Sequence, residues 1–256
     1  MNIVITGSTK GIGYALAREF LSNGARVVIS SRTKEHVQEA VTELAKEFGE
    51  NVEGAQADVS VFEDLQGLAQ FAEDHFGEID VWINNAGVPG ESGTFLKDVT
   101  PGSLKTVVET NLLGTLYGCK AAIPCMASGG HIFNMDGYGA NGMSTPGMAA
   151  YGATKRGIPQ LTESLNKEKN GSMGFHTLSP GMVVTDLLTK NATDKSKRFF
   201  NILAEKPETV ARFLVKKILQ TPKGVKGRYI KFLTNSKVFW RFLTARARKN
   251  RFFTVS

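Results

Sequence analysis

The sequence has little cysteine and no long hydrophobic run. Its 256 residues include two cysteines, Cys119 and Cys125, which are too few for a disulfide framework. No cysteine–histidine cluster has the spacing of zinc ligands, so we expect no metal site. No stretch approaches the roughly 18 consecutive apolar residues of a membrane-spanning helix. No signal or transit peptide pattern precedes the first apolar run, Asn2–Ile5, so we expect a soluble intracellular protein.

Acidic residues are missing from the C-terminal part of the chain. From Thr209 onward there are 13 lysines and arginines and no aspartate or glutamate, whereas the first 208 residues carry a net charge of −6. In the tail, residues 235–256, basic residues alternate with apolar ones such as Phe239 and Trp240. Two interpretations stay open: this tail contacts an anionic membrane surface, or it docks on the acidic body or a neighbouring subunit. Nucleic-acid binding is not expected, because no base-reading module is recognisable.

Short apolar runs alternate with amphipathic helical patterns along the chain. We predict strands at Asn2–Ile5, Arg26–Ile29, Val52–Ala57, Asp80–Ile83, Gly130–Asn134 and Gly174–Leu178. We predict helices at Gly11–Ser22, Thr33–Phe48 with Thr33 as N-cap, Phe62–Phe76, Ser103–Met126 and Tyr151–Asn170. This alternation is typical of βαβ units, which form a parallel sheet covered by helices on both faces. No linker divides the chain, so we expect one α/β domain over residues 1–256 with a doubly wound parallel sheet.

A glycine-rich turn joins the first predicted strand to the first helix. It reads Thr6-Gly7-Ser8-Thr9-Lys10-Gly11-Ile12-Gly13. Glycines allow a tight turn and let the backbone approach a pyrophosphate, while the helix N-terminus offers unpaired N–H groups. The spacing G-x3-G-x-G differs from the more general G-x-G-x-x-G. Its position between strand and helix nevertheless predicts a Rossmann-type dinucleotide site.

The end of the second predicted strand indicates which dinucleotide binds. An acidic residue there would bind the adenosine ribose of NAD and repel a 2′-phosphate. This chain has Ser30, Ser31 and Arg32 at that point, and Lys10 in the glycine-rich turn. Two cations and two hydroxyls suit a phosphate dianion through charge-assisted hydrogen bonds. We therefore predict NADPH as the cofactor; the alternative is that both cations are solvated surface charges.

Three further segments favour a specific chemistry. Asn84–Gly87 follows the fourth predicted strand, Asn111 lies in the next helix, and Tyr151 opens a helix that also carries Lys155. Residues four apart on a helix share a face, so Tyr151 and Lys155 are neighbours. A free tyrosine, with a pKa of about 10, is a poor acid–base catalyst at neutral pH. A neighbouring ammonium stabilises the phenolate, so we expect Lys155 to lower the pKa of Tyr151.

In this order, the motifs resemble those of the short-chain dehydrogenase/reductase family over essentially the whole chain. The resemblance implies that Tyr151 is the proton donor, that Lys155 binds the nicotinamide ribose, and that Asn111 holds a water in the proton relay. It also implies a homo-oligomer, a dimer or tetramer built through the helices that carry Asn111 and Tyr151. It further implies cofactor contacts at the pyrophosphate (Gly7, Ser8, Thr9, Lys10, Gly11, Ile12, Gly13), the 2′-phosphate (Ser31, Arg32), the adenine (Asp58, Val59), the adenosine-side ribose (Asn84, Asn85, Ala86, Gly87) and the nicotinamide (Pro180, Gly181, Met182, Val183, Thr185).

One residue departs from the family pattern. The family usually carries a serine about thirteen residues before the tyrosine, and that serine polarises the substrate carbonyl. Here this offset falls on Tyr138, and the nearest other hydroxyls are Ser144 and Thr145. Either a shifted loop brings Ser144 or Tyr138 to the carbonyl, or this donor is missing. Losing such a donor typically costs ~10²–10³ in rate. We include Ser144 among the candidate catalytic residues.

The loop before Tyr151 and the segments after it resemble one subgroup, the chlorophyll(ide) b reductases. The shared segments include Phe133–Gly137, Ser144–Pro146, His176–Thr185 and Glu205–Arg212. The resemblance implies NADPH-dependent reduction of the 7-formyl group of a tetrapyrrole, chlorophyll b or chlorophyllide b, to 7-hydroxymethyl. The alternatives are a reductase of another bulky apolar aldehyde or ketone, and a non-catalytic NADPH-binding partner protein. A plant member would need a plastid leader, so we expect a mature protein of the stroma or thylakoid surface, or a cytoplasmic bacterial relative.

Residues 186–208 follow the predicted nicotinamide segment. They combine cations, Lys190 among them, with Leu187, Leu188, Phe199 and Phe200. In the family this segment covers the substrate, which implies a lid whose apolar side chains face a large flat ring while nearby cations meet propionate groups. The alternative is an ordinary amphipathic helix that packs on the body.

Overall fold

The computed structural model describes residues 1–189 and 193–254, and its strands form one parallel sheet. In chain order they are β1 (Asn2–Ile5), β2 (Arg26–Ser31), β3 (Val52–Gln56), β4 (Ile79–Asn84), β5 (Met126–Met135), β6 (Gly174–Ser179) and β7 (Tyr229–Lys231). Their order in the sheet is β3-β2-β1-β4-β5-β6-β7. The chain changes direction across the sheet at β1, which pairs with both β2 and β4. Open α/β sheets bind ligands at such a switch point, beyond the carboxyl ends of the strands.

Helices cover both faces of this sheet. They are α1 (Gly11–Ser22), α2 (Lys34–Phe48), α3 (Phe62–Phe76), α4 (Pro101–Val108), α5 (Gly114–Ala122), α6 (Ala149–Lys167), α7 (Asp186–Thr189), α8 (Asp194–Leu203), α9 (Pro207–Leu219) and α10 (Asn235–Leu243). One apolar cluster joins the sheet to α1, α2 and α9, and a second joins it to α3 and α5. Because both faces are covered, the central strands carry apolar residues on both faces, and Ile5, Ile29 and Ile83 are fully buried.

The single-domain α/β prediction, with its doubly wound parallel sheet, is confirmed. The predicted helix Ser103–Met126 is wrong in detail. It is α4, a π-helical turn at Glu109–Leu113, α5, and a 3₁₀ turn at Ile123–Cys125, and Met126 already belongs to β5. Periodicity alone does not reveal a π turn, because the extra residue shifts the helix face without interrupting it. Thr33 is the N-cap residue of α2 as predicted, but its side chain makes no capping hydrogen bond.

The seventh strand was not predicted from the sequence. Only Ile230 of its three residues is buried, and the strand lies at the sheet edge beside β6. Short edge strands with charged residues carry little hydrophobic signal. No helix in the described ranges is long and apolar enough to span a bilayer.

Candidate active site

The glycine-rich turn is fixed by hydrogen bonds within the first two strands. The Ser8 hydroxyl donates to Ile5 O at 2.6 Å and accepts from Ser30 N at 2.9 Å. A Cβ on Gly7 would lie 2.8 Å from the Ala86 Cα, and a Cβ on Gly13 would lie 2.5 Å from the Gly7 carbonyl oxygen. Side chains are therefore excluded at both positions, and the backbone of the turn stays open to a ligand.

The segment after β4 lies directly against this turn. The Asn85 side-chain nitrogen donates to Thr6 O at 2.9 Å and to Gly7 O at 2.8 Å, and Thr6 Oγ1 accepts from the backbone N–H of Ala86 at 3.1 Å. Asn85 therefore shapes the turn. The Oγ of Ser30 and the Oδ1 of Asn85 are buried acceptors without a hydrogen-bond partner in the described residues. The bare backbone and these free oxygens fit a polar ligand such as a dinucleotide.

The side chain of Asn84 is buried between β4 and β5. Its side chain accepts from Trp82 Nε1 at 2.7 Å and donates to Asn134 Oδ1 at 2.8 Å. Only 4% of the residue is exposed. The hydrogen-bonding groups of the Asn84 side chain are therefore used between β4 and β5, which leaves the backbone of this segment for the predicted ribose contact.

The residues expected at a 2′-phosphate lie at the carboxyl end of β2 and in the turn. Ser31 Oγ accepts from the backbone N–H of Thr33 at 3.2 Å, so its hydroxyl helps to form the β2–α2 connection. Arg32 is exposed, and Lys10 makes an exposed ion pair with Asp186 at 3.4 Å. Exposed pairs are worth little, so an incoming phosphate can replace Asp186.

The residues expected at the adenine have other packing roles as well. Asp58 Oδ1 accepts from Ser60 N at 2.9 Å and from Ser60 Oγ at 2.6 Å. Val59 is buried against Gly114, where an added Cβ would lie 2.8 Å from the valine side chain. Asp58 thus stabilises the turn that leads into α3, which keeps the backbone of residues 58–59 at the sheet edge.

The segment from Pro180 to Thr185 lies next to the glycine-rich turn. A Cβ on Gly11 would be 3.3 Å from Thr185 Cγ2. Val183 forms an isolated parallel bridge with Glu205, and Glu205 O accepts from Val184 N at 2.9 Å. The predicted nicotinamide segment and the predicted pyrophosphate turn are thus neighbours.

Tyr151, Lys155 and Asn111 lie close together, between the segment after β4 and the loop after β5. All three are at least 92% buried. Lys155 Nζ donates to Met135 O at 3.1 Å. The π turn orients Asn111, whose side chain is hydrogen-bonded to both backbone groups of Val88 at 2.8 and 2.9 Å and to Thr154 Oγ1 at 3.3 Å. Asn111 therefore ties the segment after β4 to α6, the helix that carries Tyr151.

The charge distribution differs from the expectation for Tyr151. Burial raises the pKa of Tyr151, and the nearby carboxylate of Asp136 raises it further. Burial also lowers the pKa of Lys155 to about 8, and Asp136 partly opposes that change. The predicted lowering of the Tyr151 pKa by Lys155 is not seen. The cost of burying a phenolate is the larger effect, and the ammonium lies 5.9 Å from the centre of the tyrosine ring.

The loop before Tyr151 has no side chain at the point that faces the tyrosine hydroxyl. That point is Gly137, where an added Cβ would overlap the Tyr151 hydroxyl oxygen. The offset to Tyr138 was therefore wrong by one residue. The Tyr138 hydroxyl hydrogen-bonds to Thr145 Oγ1. Ser144 is exposed and makes no hydrogen bond to Tyr151 in the described residues. The geometry therefore favours the interpretation in which the hydroxyl donor to the substrate carbonyl is missing over the one in which Ser144 or Tyr138 replaces it.

Sequence reasoning missed Asp136. This carboxylate, 4% exposed, lies where β5 ends, and its Oδ2 accepts from the Tyr229 hydroxyl at 2.6 Å. The available signal was a charged residue directly after a run of buried apolar positions, because a buried charge must find partners.

The segment expected to form a lid packs against the tail. Phe199 contacts Phe242 with ring centres 6.4 Å apart, and Phe200 contacts Phe253 at 6.2 Å. The amphipathic-helix reading is therefore the closer one for α8. Lys190 lies outside the described residues.

The tail also docks on the body through ion pairs. Glu205 binds Arg241 at 3.0 Å, Arg251 at 2.8 Å and Arg248 at 3.6 Å. Its carboxylate is largely buried among these three guanidinium groups. The Asn201 side chain adds hydrogen bonds to the Phe252 and Phe253 backbone. Self-docking thus describes residues 241–254, while the outer face of α10 stays exposed.

Comparison with known proteins agrees with this geometry. The family model for short chain dehydrogenases matches residues 1–196. The chain belongs to the short-chain dehydrogenase family. It is similar to the chloroplastic chlorophyll(ide) b reductase NOL of Arabidopsis thaliana, with 47% identity over 99% of this chain and 76% of that protein. The rice protein of the same name, from Oryza sativa subsp. japonica, is 48% identical over 98% of this chain and 77% of its own length.

Solved structures of nicotinamide-dependent dehydrogenases share the fold. The closed form of a serine dehydrogenase in complex with NADP⁺ has a TM-score of 0.76 at 26% identity, covering 90% of this chain and 94% of that one. The chain is therefore an oxidoreductase of this family. Tyr151 and Lys155 are its candidate catalytic residues.

Proposed function

We propose that the protein reduces the 7-formyl group of chlorophyll b or chlorophyllide b to a 7-hydroxymethyl group with NADPH. The observation that carries the proposal is the 47–48% identity, over nearly the whole chain, to relatives named chlorophyll(ide) b reductases. The buried pair Tyr151 and Lys155 supplies the chemistry that such a reduction needs. The free backbone of the glycine-rich turn and the unpartnered oxygens of Ser30 and Asn85 fit the cofactor.

The chain's own groups then have separate roles in the reaction. NADPH supplies the hydride that adds to the formyl carbon. Tyr151 donates its proton to the formyl oxygen as that oxygen becomes an alcohol. Lys155 is held by Met135 O and orients the cofactor ribose. Asn111 fixes the position of α6 relative to the segment after β4. Gly137 leaves room for the carbonyl beside the tyrosine hydroxyl.

NADPH is favoured over NADH by the charges around β2. Lys10 and Arg32 are exposed, and no carboxylate follows β2, where Ser31 and Arg32 stand instead. A 2′-phosphate can therefore gain two charge-assisted contacts without facing a like charge.

The exposed face of α10 is proposed as a membrane contact. Phe239, Trp240 and Leu243 leave an apolar face of α10 at least 61% exposed. This face lies in a basic tail, so an anionic membrane that holds the pigment suits it better than a second copy, whose identical cations would repel. The reductase would then work at a thylakoid surface in a plastid, or at a membrane in the bacterial cytoplasm.

A homo-oligomer is proposed through α4 and α5. Val108 and Leu116 on these helices are 46% and 41% exposed. A dimer or tetramer would cover them, and light scattering of the purified protein measures the mass directly.

The experiment is a pigment assay with the purified protein. It is incubated with NADPH and chlorophyllide b, and the pigments are separated by chromatography. We expect a 7-hydroxymethyl product that is lost, by about 10²–10⁴-fold in rate, in Tyr151→Phe. Tyr138→Phe is the matched control, because that hydroxyl contacts Thr145. NADPH binding without product would refute the substrate and move the search to other bulky aldehydes and ketones, or to the non-catalytic alternative.

A further inference from the structure

A buried carboxylate lies beside the catalytic pair in the loop where the family carries a serine. Asp136 is the residue before Gly137, and its backbone N–H donates to Leu178 O at 2.9 Å, which anchors it to β6. Its carboxylate accepts from the Tyr229 hydroxyl at 2.6 Å. Tyr229 is 39% exposed, so its ring reaches from solvent to this carboxylate. The missed edge strand β7 therefore contributes directly to the surroundings of the active site.

Lys155 needs a counter-charge at this position. The residue is 4% exposed, and its ammonium donates a hydrogen bond to a neutral carbonyl, Met135 O. A buried ammonium without a nearby negative charge loses its proton readily. Met135 and Asp136 are adjacent in sequence, and a Cβ on the next residue, Gly137, would lie 3.2 Å from Lys155 Cγ, so the lysine side chain runs along the loop that carries this carboxylate.

The groups that face Asp136 come from three elements. They are Tyr151 and Lys155 on α6, Ser179 on β6, and Tyr229 and Lys231 on β7. The pKa of Asp136 is raised to about 6 by burial, so the group is ionised at neutral pH and above. Its negative charge then acts on both members of the catalytic pair and favours the protonated form of each.

We propose that Asp136, held by Tyr229, is a positioning residue whose charge keeps Lys155 protonated and Tyr151 in its acid form. This inference rests on the proposed reductase function for its kinetic consequence, but not for its electrostatic one. A reductase needs tyrosine as the acid and lysine as the cation at the same time. Asp136 supports both states, whereas a serine hydroxyl at the neighbouring position would carry no charge.

The direct test is the titration of Lys155 without substrate. Proteins labelled at the lysine ε-carbon are followed by NMR against pH, with Lys155→Met for assignment. We expect Asp136→Asn to move the titration midpoint of Lys155 to lower pH by about one unit or more, because the opposing charge is removed and burial still lowers the pKa. Asp136→Glu restores the charge and should keep the midpoint within a fraction of that shift. An unchanged midpoint in Asp136→Asn would overturn the proposal.

A kinetic test uses the same variants. In Asp136→Asn we expect the alkaline limb of kcat/KM for NADPH-dependent reduction to move to lower pH, with NADPH affinity unchanged. Tyr229→Phe, which keeps the carboxylate but removes its donor, should move the limb less. This milder variant keeps the proposal testable if Asp136→Asn does not fold, and a limb fixed in both would contradict it. If the Lys155 midpoint shifts in Asp136→Asn while the wild-type protein binds NADPH but reduces no pigment, this inference is upheld and the proposed substrate is refuted.

Discussion

Gly137 determines how close the loop after β5 can approach Tyr151. A Cβ there would overlap the tyrosine hydroxyl and come within 3.2 Å of Lys155 Cγ. A serine at this point therefore displaces the acid instead of assisting it. We expect Gly137→Ser and Gly137→Ala to lower kcat by a similar factor, about tenfold or more, as displacement of a reacting group by ~1 Å does. Steady-state kinetics measure this. A faster Gly137→Ser would instead show that a hydroxyl is accommodated and useful there.

Substitution of Arg32 should change the affinity for NADPH and leave the affinity for NADH unchanged. Its side chain is exposed at the end of β2. A hydrogen bond to a charged group is worth about 1.5–3 kcal/mol, so Arg32→Ala should weaken NADPH binding by about 10–100-fold. NADH lacks the 2′-phosphate, and its affinity should stay the same. Fluorescence titration with both cofactors measures the difference. Equal losses for both would assign Arg32 a structural role.

Asp136 and Gly137 also mark the limit of residue-level prediction. The motif Tyr151-x3-Lys155 is local, so helical geometry alone predicts its shared face. The residue opposite the Tyr151 hydroxyl is set by the path of a loop, and counting back from the tyrosine selected Tyr138, one residue too late. Loop paths depend on packing that no spacing rule contains.

At the scale of elements, the tail is fixed to the body by one carboxylate. Glu205 faces three guanidinium groups, and its backbone pairs with the segment that carries Val183. Removing the charge leaves buried cations unpaired. We expect Glu205→Gln to lower the free energy of unfolding by about 2–4 kcal/mol, measured by urea denaturation. Glu208→Gln, an exposed site on α9, is the control. An equal, small effect in both would show that the tail contributes little to stability.

The element with the clearest outward role is α10. Its side chains Lys237 and Arg241 face Phe232 on the body, while Phe239, Trp240 and Leu243 face outward. We expect the protein to sediment with vesicles that contain an anionic lipid and not with neutral ones, and salt should weaken this binding.

The double substitution Phe239→Ser and Trp240→Ser tests the apolar face itself. It should reduce vesicle binding about tenfold or more, since each buried aromatic contributes ~1.5–3 kcal/mol. Phe95→Ser removes a side chain that is 60% exposed elsewhere on the chain, so it should have no effect. Equal binding by all variants would rule out α10 as the membrane contact.

At the scale of the whole molecule, a buried histidine pair makes stability depend on pH. His176 Nε2 and His131 Nδ1 are 2.9 Å apart between β5 and β6. Burial lowers the pKa of His176 to about 3 and that of His131 in the same direction. Both are neutral in the fold, whereas the unfolded chain takes up protons below its pKa of about 6.5. The contribution of these two neutral histidines to the free energy of unfolding is therefore complete above pH ~6.5. It is lost as the pH falls towards the folded-state pKa of His176, about 3.

Each histidine should reduce stability by about 1.4 kcal/mol per pH unit within its window. Asp136 acts in the opposite sense below pH 6, because its folded pKa is the raised one. Comparing His176→Asn with the wild type isolates the histidine: the variant should show the shallower dependence of unfolding free energy on pH. His36→Asn, an exposed site, should keep the wild-type slope. Equal slopes in all three would exclude the pair as the cause.

The fold class, the glycine-rich turn, the positions of strands β1 to β6 along the chain and the Tyr151–Lys155 pair could all be predicted from the sequence alone. These follow from local periodicity and from the backbone freedom of glycine, which neighbours in sequence are enough to fix. Only the tertiary structure decided that Asn84 faces the core, that Gly137 faces Tyr151, that Tyr229 reaches Asp136, and that three tail arginines meet at Glu205. Each of these joins residues far apart in sequence through burial, and the free energy of burying a polar group depends on partners that the chain brings together only when folded.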